Sequence, residues 1–161
     1  MAELPSDFEN AFDCAGMAIR YFTHGDRAVE RPKIMKALFQ TLLWFYEGAI
    51  ESADVMAIAK FCSCMEALAC GKGKKGIFNL IQSHLAVESV PNLERDLKRL
   101  YGEGRSRTLH GTTDRLGHDW GDDRQLAEIL AHECLIRSLE RAATSCDADD
   151  PNILLEAGSI I

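Results

Sequence analysis

The sequence has few of the marks of a sheet protein. No stretch alternates apolar and polar residues at period two for long, and no hairpin dipeptide stands between candidate strands. It also has no apolar run long enough to cross a bilayer: the run from Ala37 to Ile50 is broken by Gln40, Thr41 and Glu47. The chain opens without the charged and then apolar segments of a secretion signal, so a cytoplasmic protein is the expectation. Complete metal and phosphate motifs are missing too. Gly71-Lys-Gly-Lys-Lys-Gly76 falls short of G-x-x-x-x-G-K-[ST] and follows a helix pattern rather than a strand. It reads as a flexible basic turn, one still able to touch a nucleic-acid backbone. The run Asp147–Asp150 lacks the twelve-residue calcium-loop pattern. No Cys-x-x-Cys is present, and Cys62 and Cys64, two apart on a helix, face nearly opposite ways. With Cys14, Cys70, Cys134 and Cys146 they read as reduced thiols packed as small hydrophobes, and a zinc site with His132 is disfavoured.

What is present is helical. The 161 residues are 47% apolar, which excludes a disordered or collagen-like chain and suffices for one buried core. Ser6-Asp-Phe-Glu9 forms a capping box that opens a first helix to about Phe22. Pro32 suits a first helical position, and Ile34 to about Ile50 is apolar on most faces, with Leu38, Leu42, Phe45 and Ala49 at helical spacing. Such a helix belongs in the middle of a bundle or in a subunit interface. A third helix is expected over about 53–69 and a fourth over about 77–87. Asn92 is placed to cap a fifth, whose stripe is Leu93, Leu97, Leu100 and Tyr101. After a glycine-spotted loop over 111–121, Asp122 or Asp123 starts a sixth helix running to about Ala143. Pro151 is expected to break any helix in the tail. The predicted fold class is therefore an all-α bundle of about six helices, one domain over 1–161 with its core at about 6–145 and a tail at 146–161. The apolar ending Ser159-Ile-Ile is also what an excised C-terminal domain of a longer protein would show.

Two residue types stand out chemically. Arg105 offers a permanently charged guanidinium that forks onto phosphate oxygens, and His110 offers an imidazole that trades protons near neutral pH. Together they suit metal-free cleavage of a phosphodiester that carries its own nucleophile, as RNA does in its 2′-hydroxyl. On a regular α-helix, residues five apart point about 140° apart. Either Gly102 and Gly104 distort the helix, or two copies of the chain combine their pairs across a dimer axis. The plainer account is an Arg and a His at a helix C-terminus, where the dipole favours cations, with Gly111 as the C′ residue.

The segment Leu100-Tyr101-Gly-Glu-Gly-Arg105-Ser106-Arg-Thr-Leu-His110-Gly111 resembles the signature of the HEPN superfamily, an arginine followed four to six residues later by a histidine. Its form Tyr…Arg-Ser…His-Gly is most similar to the ApeA-like branch, and Glu66-Ala67-Leu68 matches a Glu-Ala-Leu stretch of that branch on an earlier core helix. The resemblance implies an HEPN-like bundle that acts as a metal-independent endoribonuclease in bacterial antiviral defence or stress response. It implies RNA as substrate, a homodimer with a composite cleft, and no cofactor. It makes His110 the general acid/base and Arg105 the phosphate-holding group, with Ser106 orienting substrate or the histidine. Tyr101, Glu66 and Arg107 become RNA-binding or supporting residues. The alternative is an inactive helical module that dimerises or binds a partner; a nucleotide-binding regulator would need a phosphate loop.

Charge fits either account. The net charge of −7 disfavours non-specific polyanion binding by the whole surface, yet screening over about 10 Å leaves room for a local basic site. Arg95, Lys98, Arg99, Arg105, Arg107 and Arg115 form such a cluster around the motif, and a solvated face of mixed charge would look the same. His118-Asp119-Trp120 follows on a loop, where it either lines a cleft or anchors the loop.

Overall fold

In a computed structural model the described residues are 6–85, 92–112, 117–145 and 149–155. Among them are six α-helices and no strand: α1 (Ser6–His24), α2 (Pro32–Ala49), α3 (Asp54–Leu68), α4 (Gly73–His84), α5 (Leu93–Leu97) and α6 (Gly121–Thr144). A π-helix, Lys98–Arg107, continues α5 without a break, and 3-10 turns cover Asp26–Ala28 and Pro151–Leu155. The chain is an all-α bundle. No described helix is long and apolar enough to cross a membrane. Arg115, Cys146, Asp147, the middle of the 111–121 loop, the end of the expected fourth helix and the side chains of Ser6, Asp7 and Phe8 lie outside the described residues.

The middle of the bundle is α3. Ile58, Phe61, Cys62, Cys64, Met65 and Leu68 are all buried, so its side chains are covered on several faces by α2, α6 and the π-helix. That is why Cys62 and Cys64 are both inside although they point apart. Burial drives the Cys62 thiol up to about 12 and Cys64 well above its usual range, so both stay protonated. α2, expected in the middle of the bundle or in a subunit interface, leaves Leu43 and Tyr46 exposed, with Ile50 just past its end, and α1 adds Ile19 and Phe22. Phe22 and Phe39 stack at 4.3 Å and join these into one apolar face.

Charged groups from far along the chain close the helix ends. The Asp149 carboxylate accepts the Lys33 and Ile34 N–H groups at 2.9 and 3.1 Å, capping α2 behind Pro32. The Arg31 guanidinium donates to the Ala142 and Ser145 carbonyls at the end of α6. Residues 149–155 are thus tied to the core. Pro151 opens a 3-10 turn rather than ending a helix, because a fixed φ and a missing N–H cost nothing at a first position, and Leu154 is fully buried. Asn92 does occupy the position before α5, but without a side-chain cap hydrogen bond. His84, half-buried against α6 with Nε2 3.1 Å from Ser138 Oγ, is held below its usual pKa mainly by desolvation.

The basic glycine segment also differs from expectation. The reversal is confined to residues 70–72, and Gly73–Gly76 already forms the first turn of α4. A Schellman motif makes the turn this tight: Gly71 N–H donates to the Glu66 carbonyl at 2.9 Å and Cys70 N–H to the Ala67 carbonyl at 3.2 Å. Its left-handed position is filled by Cys70, at φ 53°, where glycine is usual. Cys70→Gly should therefore stabilise the protein by roughly 0.5–1 kcal/mol in urea unfolding. A loss of stability would show that the Cys70 side chain contributes more than its backbone costs.

Candidate active site

Three side chains meet where the π-helix crosses the end of α3. Arg105 Nη2 lies 2.6 Å from Glu66 Oε2, and Tyr101 donates its hydroxyl to Glu66 Oε1 at 3.2 Å. The guanidinium sits 4.9 Å from the Tyr101 ring centroid, within cation–π range. Glu66 thus spends one carboxylate oxygen on each partner. The pair is only partly solvated, with side chains 21% (Glu66) and 24% (Arg105) exposed, so its attraction is screened less than that of a surface pair. Burial and the Glu66 charge both push the Tyr101 hydroxyl up, keeping it a donor. Cys62 lies below; burial dominates its titration although the Arg105 charge pulls the other way.

The local sequence explains the close approach. A Cβ on Gly104 would stand 2.7 Å from Ile58 Cγ2, so only glycine lets this turn lie against α3. The segment winds as a π-helix, with wider turns and less rotation per residue than an α-helix. The helix through Gly102 and Gly104 is distorted, as one of the two expected geometries requires. The π-helix ends at Arg107, three residues before His110, whose N–H makes an α-type bond to the Ser106 carbonyl.

His110 stands at the end of this segment, exposed. Its N–H donates to the Ser106 carbonyl at 3.1 Å. A second Schellman motif follows, with Gly111 N–H on the Thr108 carbonyl and Thr112 N–H on the Arg107 carbonyl. Gly111 takes the left-handed φ of 64° that this motif needs. His110 is accordingly the C-cap residue. Ser106 is half-buried and reaches His110 through its backbone; Arg107 is exposed on the next position. Arg105 Nε is buried with no hydrogen-bond partner, a donor still unused in this arrangement.

The remaining cations split. Arg99 turns inward, its Nε 2.5 Å from Asp123 Oδ1 and its Nη2 3.6 Å from Asp96, so it ties α5 to α6. The Arg95 side chain is largely exposed. The cluster is therefore partly internal ion pairing. His118 packs edge-on against buried Trp120 at 4.5 Å and lies 3.6 Å from Asp123, while Asp119 accepts the Gly121 N–H. This tripeptide anchors the loop at the start of α6. Among the described residues no three His, Cys, Asp or Glu side chains cluster as a metal site.

An open groove of about 560 Å³ runs beside Arg105 and Glu66, lined across it by Lys33, Lys36, Gln40 and Trp44 of α2. Sequence reading passed over these four, because α2 reads as an apolar helix. Their spacing of i, i+3, i+7, i+11 was the available signal. No family model, no curated protein and no solved structure matches this chain.

Because Glu66 holds both partners, Glu66→Ala should destabilise the protein by about 1–3 kcal/mol, and Tyr101→Phe by about 1 kcal/mol. Urea unfolding measures both. Wild-type stability in both variants would show that the three residues are merely adjacent.

Proposed function

We propose that the chain is an HEPN-type, ApeA-like domain acting as a metal-independent endoribonuclease. The observation that supports this best is the arrangement around Arg105: a guanidinium preset by Glu66 and Tyr101 at the wall of a groove, followed by an exposed imidazole at position 110. Arg105 would hold the scissile phosphate and stabilise the charge that builds on it. A histidine would take the 2′-hydroxyl proton as oxygen attacks phosphorus, and a histidine would return a proton to the departing 5′-oxygen. The P–O5′ bond breaks, and the products are a 2′,3′-cyclic phosphate and a 5′-hydroxyl. In a homodimer the two steps fall to His110 of each copy, and the exposed apolar face of α1 and α2 offers a surface for pairing. Glu66 and Tyr101 are positioning residues in this scheme. The setting we propose is cytoplasmic, in antiviral defence or stress response.

The same exposed face of Phe22, Leu43, Tyr46 and Ile50 supports a second reading, a helical module that binds a partner without cleaving RNA.

Purified protein incubated with mixed RNAs in EDTA separates the two. The nuclease reading predicts cleavage with cyclic-phosphate ends. It predicts a loss of roughly 100-fold or more in His110→Ala and in Arg105→Gln. Cleavage that survives both changes would overturn it.

A further inference from the structure

The groove beside Arg105 has the composition of a site for a flexible polyanion with flat rings. Lys33, Lys36, Gln40 and Trp44 occupy one face of α2 at i, i+3, i+7 and i+11, a row about 16 Å long at 1.5 Å per residue. All four are exposed, Trp44 to 40%. The opposite wall is α3, where Ser63 and Glu66 stand, and Arg105 closes the side. Arg105 is paired with Glu66, so the two lysines carry the net positive charge of this lining, on a protein whose net charge is −7. Asp149 accepts the Lys33 backbone N–H, and the Lys33 charge also reaches the neighbouring Asp150 carboxylate.

An indole left this exposed beside a helix row of lysines loses apolar burial without return in the free protein. It gains most when a base lies on its face. Cations along one wall and an aromatic platform on the same row are the two elements by which proteins hold single-stranded nucleic acid without reading its sequence. A small apolar ligand would need a closed pocket with few charges, which this groove does not provide.

We infer that this groove binds a single-stranded RNA segment next to the cleaved linkage, with Lys33 and Lys36 on phosphates and Trp44 stacked on a base. The strand enters along α2 and meets Arg105 at the groove wall. The inference rests on the ribonuclease reading for its substrate class, but its own evidence is the α2 row.

Binding and cleavage must be measured on the same proteins. The binding probe is a labelled single-stranded 2′-O-methyl RNA of about ten nucleotides, which cannot cleave itself and fits the usual span of such grooves. Lys33→Glu combined with Lys36→Glu should weaken binding about tenfold or more and flatten the log–log salt slope by about 1.4, two contacts at about 0.7 each. Trp44→Ala should weaken it at least about fivefold, with Trp44→Phe restoring most of the loss. Arg20→Glu with Arg27→Glu, both exposed and outside the groove, should leave binding unchanged. Groove variants that bind as wild type does, or a wild type that does not bind the probe, overturn the inference. If those variants bind normally while His110→Ala abolishes cleavage, the groove assignment falls and the nuclease stands. If they weaken binding but wild type cleaves no RNA, the groove stands and the nuclease reading falls.

Discussion

At the last turn of α3 the backbone and the side chain of Glu66 serve different neighbours, and both depend on it. Its carbonyl accepts the Gly71 N–H and so fixes where α3 stops and α4 begins. Its carboxylate holds Arg105 and Tyr101 and so fixes how the π-helix lies on α3. A charge-assisted hydrogen bond of this kind contributes about 1.5–3 kcal/mol, against total stabilities of about 5–15 kcal/mol for a domain. Without the carboxylate, Arg105 would keep its buried Nε and lose its counter-charge, an arrangement that favours leaving the groove for water.

The π-helix is the second constraint. Lys98–Arg107 winds as a π-helix that carries both Tyr101 and Arg105 to Glu66. Gly104 lets the segment approach Ile58 of α3. Long π-helical stretches are uncommon and concentrate at functional sites. Here the irregularity covers Tyr101 and Arg105 and ends three residues before His110.

Much of the fold was legible in the sequence because it rests on local periodicity. Six helices, the Pro32 start of α2 and the Gly111 stop each follow from spacing and from the special conformations of proline and glycine. What was not legible came from long-range contacts. Asp149 capping α2, Arg31 reaching α6 and Leu154 entering the core join residues over a hundred positions apart in two cases, and no local rule announces them. The same reason hid the centrality of α3, since α2 is equally apolar in sequence. At the site, Arg105, His110 and Tyr101 were visible as a motif. The role of Glu66 as the common partner was not, and the α2 row went unseen because its lysines are spread among core positions.

The most direct measurement is a double-mutant cycle on stability with Glu66→Gln, Arg105→Gln and the pair together, each unfolded in urea. If Glu66 holds Arg105 as described, the two changes will be non-additive, with a coupling of about 1–3 kcal/mol. Additive effects, within about 0.5 kcal/mol, would contradict the account.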